Sequence, residues 1–81
     1  MYSYIDFSED IAAGHEIMFT YRDKEYSISI SQGGWYFTKV EDYENAIRYE
    51  SADELLIQVR IANKTLEEVF NSGNLSDFSI N

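Results

Sequence analysis

The sequence predicts an α+β fold: a four-stranded antiparallel meander with a short N-terminal helix and two short C-terminal helices packed on one face of the sheet. Three observations carry this expectation. Between Glu16 and Phe37, apolar and polar residues alternate with the period of two that a half-buried strand requires. Asp23-Lys24 and Gly33-Gly34 interrupt that alternation at hairpin spacing. Beyond Glu50 the apolar period becomes helical, and the pattern Ser/Thr-x-x-Glu occurs twice, at Ser51 to Glu54 and Thr65 to Glu68. The expectation is one domain spanning residues 1–81.

Taken in order, Tyr2, Tyr4 and Ile5 read either as a short edge strand or as a segment laid across the core. Ser8 is the expected N-cap of the first helix, with Glu9 and Asp10 at the positive end of its dipole and Gly14 closing it after Ala13. A two-residue turn at Asp23-Lys24 sets Tyr21 opposite Tyr26, Phe19 opposite Ile28 and Ile17 opposite Ile30 on one face. Arg22 with Glu25, Thr20 with Ser27 and Met18 with Ser29 then share the other face. A turn at Gly33-Gly34 sets Phe37 opposite Ile30, with Trp35 on the same face.

Glu41 to Asn45 reads as an acidic loop leading into a fourth strand, Ala46 to Glu50, from which Ile47 and Tyr49 join the core. Ala52, Leu55, Leu56 and Val59 form the apolar stripe of the second helix. Ala62-Asn63-Lys64 is a turn, and Leu66, Val69 and Phe70 are the inward residues of the third helix, which Gly73 ends. Leu75, Phe78 and Ile80 keep the tail apolar enough to lie back on the sheet as an edge strand.

Charge bounds the function. Fifteen acidic residues oppose six basic ones, giving −9, and the six cations are scattered along the chain. Binding to a nucleic-acid backbone needs clustered Lys and Arg, so direct phosphate recognition is not expected, and an anionic membrane would repel the chain for the same reason. A basic protein partner would be attracted and its association steered. With no cysteine, disulfides and thiolate metal ligands are excluded. No apolar run reaches spanning length and the N-terminus lacks a basic n-region, so a cytoplasmic protein is the expectation.

Motifs for chemistry are sparse. His15, the lone histidine, sits beside Gly14 and Glu16 at a helix–strand junction with no serine marked as activated, so it reads as a dipole partner rather than a base. Glu41, Asp42, Glu44 and Asn45 crowd oxygen ligands together, but the spacing is not that of a calcium loop. Gly33-Gly34 lacks the remainder of a phosphate-binding signature. Neither a catalytic residue, a metal site nor a cofactor is expected. Parity assigns Trp35 to the core and leaves Tyr36 and Tyr43 as surface aromatics beside acids, so the candidate binding residues are Tyr36, Glu41, Asp42, Tyr43 and Glu44.

The succession Gly14-His15-Glu16-Ile17, Phe19 to Ile28, Gly34-Trp35-Tyr36, Ser51 to Leu56 and Asn63 to Phe70 resembles small uncharacterised proteins of Gram-positive bacteria and their mobile elements. The likeness covers roughly residues 8–70 and its motifs are structural. It implies a bacterial cytoplasmic accessory protein and brings no assigned activity with it. The leading expectation is therefore a small acidic, non-catalytic protein-binding domain, immunity-like or inhibitor-like, for a basic protein partner. The alternative is a structural or oligomerisation module that forms a homodimer through an exposed sheet edge. A hydrolytic enzyme ranks third.

Overall fold

Three tight turns with a common backbone set the geometry of the chain. Arg22-Asp23, Gln32-Gly33 and Ala62-Asn63 have positive φ at both positions, from 50° to 77°. That is the signature of the primed hairpin turn, whose twist matches that of the strands it joins. The computed structural model describes residues 2–81.

The first two turns form one residue earlier than the sequence reading placed them. In β1 (Ile17–Tyr21) and β2 (Lys24–Ser31), Ile17 lies opposite Ile28, Phe19 opposite Tyr26 and Tyr21 opposite Lys24. Between β2 and β3 (Gly34–Lys39), Ile28 lies opposite Phe37 and Ile30 opposite Trp35. The expected pairs of Phe19 with Ile28 and Ile30 with Phe37 are thus replaced. Asp23 and Gly33 take the second turn position behind Arg22 and Gln32, and Gly34 is drawn into β3, where a Cβ would run into the Arg48 guanidinium. Because each pairing moves by two, every side chain keeps its face. The displaced residue is Ile30, which sits near the second turn and is partly uncovered.

The expected meander of four strands is one strand short. A 3₁₀ segment, Val40–Asn45, leads to β4 (Ile47–Tyr49), and the tail forms a further strand, β7 (Leu75–Ile80), antiparallel to β1. The five-stranded order is β4-β3-β2-β1-β7, so the tail does become an edge strand. Between α2 (Ala52–Gln58) and α3 (Leu66–Asn71), the expected turn is enlarged into a separate two-stranded hairpin, β5 (Arg60–Ile61) with β6 (Lys64–Thr65).

The first helix, α1 (Tyr4–Ala12), is capped five residues before the expected position, Ser8. Ser3 is the N-cap: its hydroxyl accepts from the Asp6 amide at 3.1 Å, and the Asp6 carboxylate accepts from the Ser3 amide at 3.2 Å. Ser8 lies inside the helix and its hydroxyl donates to the Ile5 carbonyl. The earlier start brings Phe7 and Ile11, four residues apart, onto one face, and both are fully buried. At α3 the capping box of Thr65 and Glu68 is complete. At α2 the Ser51 hydroxyl caps the Glu54 amide, whereas the Glu54 carboxylate reaches one residue further back, to the Glu50 amide.

All three helices lie against one sheet face. Phe7 and Ile11 of α1, Leu55 of α2, Val59 at its end, and Leu66 and Val69 of α3 meet Ile17, Phe19, Tyr21, Tyr26, Ile28 and Phe37 from the sheet in one core. Trp35 packs against its margin, whereas Ile47, expected inside, is 53% exposed. Met18, Thr20, Ser27, Ser29, Tyr36 and Thr38 alternate with the core residues and remain partly exposed on the other face. Among the described residues no helix is long and apolar enough to cross a membrane.

Candidate functional site

The acidic segment after β3 is held by its own charges. Lys24 at the start of β2 and Lys39 at the end of β3 both reach Glu41, at 3.1 and 3.2 Å, and tie the 3₁₀ segment to the sheet. The Lys24 ammonium, with Lys39 behind it, keeps the Glu41 carboxyl below the usual carboxylate range. Asp42 departs from helical backbone (φ −133°, ψ 49°), and the Asn45 side-chain amide donates to both of its carboxylate oxygens at 2.9 and 3.0 Å. These contacts leave Tyr43, 71% exposed, and Glu44 on the outside.

Behind this segment lies an open cleft of about 230 Å³. Its buried floor is Tyr26, Phe37 and Ile61, the two rings being stacked 5.6 Å apart. Asp42, Asn45, Lys39, Ile47 and Arg60 form its rim. Arg60 is held in turn, donating to the carbonyls of Ile57 at 2.6 Å and Val59 at 3.0 Å at the end of α2. The volume falls below the roughly 300–1,000 Å³ of small-molecule sites and suits one inserted side chain.

Of the five residues singled out from sequence, Glu41, Asp42, Tyr43 and Glu44 therefore come together on one segment, with Asp42 reaching the cleft. Tyr36 does not join them. It pairs with Ser29 and Arg48 on the open face of the sheet, opposite the face that carries Phe37 and the cleft. Arg48 there is engaged by Glu50. His15 is also occupied structurally: its Nδ1 lies 3.1 Å from the Asn81 carbonyl, beside reciprocal backbone bonds between Glu16 and Asn81. Among the described residues no group of three His, Cys, Asp or Glu is placed to hold a metal ion.

The other sheet edge carries a concavity that sequence reasoning missed. Tyr2, Phe70, Gly73, Leu75 and Phe78 line a groove of about 220 Å³. Tyr2 and Phe78 meet edge to face at 4.9 Å, with Phe70 within 6.3 Å of both. The Tyr2 hydroxyl donates to Asp10 Oδ2 at 2.6 Å. Burial first, then Asp10 and Asp6, push the Tyr2 phenol far above its ordinary range, and burial followed by Glu67 raises that of Tyr4. The sequence held one signal for this site, the aromatics Tyr2 and Phe78 in segments expected to lie on the core or at a sheet edge. Comparison of the chain with protein-family models, characterised proteins and solved structures finds no match.

Proposed function

We propose that this protein is a small acidic, non-catalytic binding domain whose partner is a basic protein, met at the 3₁₀ segment and the cleft behind it. One observation carries the reading: five of the six cations are engaged within the chain, and among the described residues only Glu41 and Glu50 of the fifteen acids are in ion pairs, which leaves the excess of acid to the surface. Lys24 and Lys39 face Glu41, Arg48 faces Glu50, Arg60 caps carbonyls of α2, and Arg22 lies over the Tyr21 ring at 5.2 Å. Tyr43 supplies rigid contact area, Glu44 supplies steering, and the cleft receives an apolar side chain of the partner. Glu41 and Asp42 hold the segment in shape. Tyr36 would meet a partner that continues around the β4 edge onto the open face. A bacterial cytoplasmic setting is the one the sequence resemblance implies.

Edge-to-edge self-association is the weaker reading. The edge strand β4 has three residues. The edge strand β7 is broken by Asp77 at φ 56° and by a register shift against β1. Short and bulged edges both discourage pairing with another chain. Exposed Ile47 and Ile80 are the features that would favour it, and a concentration-independent dimer in size exclusion would restore it.

The test is binding of protamine, an arginine-rich polypeptide, followed by calorimetry at two salt concentrations. Tyr43→Ala with Glu44→Gln should weaken binding several-fold more than Asp53→Asn, which removes the same charge from the first turn of α2. Equal losses in the two variants would reduce the interaction to net charge alone, and no binding would overturn the proposal.

A further inference from the structure

We propose that the aromatic groove at the β7 edge is a second docking site, one that takes an arginine side chain from a basic polypeptide and hands its guanidinium to Asp10. The inference rests on the reading of a basic partner and adds a contact at the sheet edge opposite the 3₁₀ segment.

The walls fix the class of occupant. Tyr2, Phe70, Leu75 and Phe78 are large, adjacent and all only partly buried, so their ring faces and edges stay available to a visitor. A space of about 220 Å³ matches one long side chain. Carboxylates act on the tyrosines here: Asp10 touches the Tyr2 hydroxyl, Asp6 stands in the first turn of the same helix and acts on Tyr2, and Glu67 acts on the adjacent Tyr4. An anionic visitor would be repelled there. A second copy of this chain is a poor occupant, because its own cations are mostly engaged internally.

Between the two biological cations, geometry favours arginine. A guanidinium stacks flat on an aromatic ring and forks onto a carboxylate, whereas an ammonium is a compact, strongly hydrated charge. Asp10 is set for the fork. Its Oδ2 accepts from Tyr2, which fixes the rotamer, and its Oδ1 has no partner among the described residues. A carboxylate already positioned by a neighbour loses little freedom when it binds.

The experiment is an amide-resolved NMR titration with two capped pentapeptides, Arg-Ala-Arg-Ala-Arg and its lysine counterpart. Shifts should gather at Asp10, Phe70, Gly73, Leu75 and Phe78, and the arginine peptide should bind about two- to fivefold tighter than the lysine one. Asp10→Asn should weaken the arginine peptide about threefold or more while the Phe70 and Phe78 ring signals stay in place, since an amide oxygen still accepts from Tyr2. Phe78→Leu, which keeps an apolar wall but removes a ring, should give a comparable loss. Shifts confined to Val40–Asn45 or spread evenly over acidic positions, or equal affinity for both peptides with no response to Asp10→Asn, would overturn the groove and leave the acidic binding domain standing. Absence of any shift with either peptide would overturn both.

Discussion

The β4 and β7 edges of the sheet each end beside a shallow concavity with an aromatic base, and the two are charged in different ways. At the β4 edge, Lys39 and Arg60 alternate with Asp42 and Asn45 around the stacked Tyr26 and Phe37 rings, and each cation has a partner within the chain. At the β7 edge, beside Phe70 and Phe78, the carboxylates of Asp10 and Asp6 act on Tyr2 and that of Glu67 on Tyr4. At the β4 edge Lys39, Arg60 and Asp42 are held by contacts within the chain and Glu44 is left as the acid facing outward, whereas at the β7 edge the carboxylate of Asp10 stands directly against the aromatic groove through Tyr2. The edges also differ in origin. The first is assembled from β2, β3, the stretch after β3 and the hairpin that follows α2, the second from segments near the two ends of the sequence and from α3.

The residue that joins the two edges should matter most. The Phe19 ring lies 5.7 Å from that of Tyr26 on the β4 side, and 6.0 and 6.3 Å from those of Phe70 and Phe78 on the β7 side. Phe19→Ala should cost about 3–5 kcal/mol in urea unfolding, because it opens a cavity against both clusters. Ile47→Ala, on the exposed β4 rim, should stay within about 0.5 kcal/mol. Similar midpoints for the two variants would mean that the edges do not share a core.

Caps come next and should separate the edges. Ser3 caps α1 and Thr65 caps α3, the helices that carry Asp10 and Phe70, whereas Ser51 caps α2, which packs on β3 and β4. Alanine at each should destabilise by about 0.5–2 kcal/mol. Amide exchange should quicken around Phe78 for Ser3→Ala and Thr65→Ala, and around Trp35 and Tyr49 for Ser51→Ala. The same exchange pattern in all three would show one cooperative unit without separate edges.

Which parts of this could be read from the sequence follows from what fixes them. Strand parity is local and survived a change of register: Ile17, Phe19, Tyr26 and Ile28 face the core whichever turn residue leads. Turn position is not legible in the same way, because Asp23 and Gly33 suit either turn position and the backbone uses them second, behind Arg22 and Gln32. The two C-terminal caps were legible as Ser/Thr-x-x-Glu, whereas the α1 cap uses an aspartate in that place and hides behind two tyrosines. Four of the five candidate residues lie together because they are neighbours in sequence. Parity alone places Tyr36 across the sheet from Phe37. The groove was beyond sequence reasoning, since only the return of β7 alongside β1 brings Phe78 to Tyr2.

A smaller effect concerns the core behind both edges. The Tyr21 hydroxyl is buried and has no hydrogen-bond partner among the described residues, and a stranded polar group of this kind opposes folding. Tyr21→Phe removes the hydroxyl and keeps the ring, so stability should rise, by about 1 kcal/mol at most. A loss of stability would show that the hydroxyl has a partner in solution.

The smallest effect tests whether the β4 rim is held by charge. Glu41 and Glu68 both titrate below the usual carboxylate range, Glu41 because of Lys24 and then Lys39, Glu68 because it accepts from the Thr65 amide. A carboxyl whose folded-state pKa is depressed contributes stability above its unfolded pKa and loses it as pH falls through the folded one. Both contributions should therefore be complete near neutrality and fade below about pH 4.5, and both groups are solvent-exposed, so each is small. Their salt dependence distinguishes them. Salt screens the ion pairs of Glu41 and has little hold on the backbone hydrogen bond of Glu68. In denaturation midpoints followed from pH 6 to pH 3, Glu41→Gln should flatten the acid limb at low salt and do nothing at 1 M salt. Glu68→Gln should flatten it at both, because its cap is lost or weakened in either medium. If Glu41→Gln acted equally at both salt concentrations, the 3₁₀ segment would be held by packing rather than by its lysines, and the contrast between a β4 rim tied down by ion pairs and a β7 rim built on aromatic contacts would lose its basis.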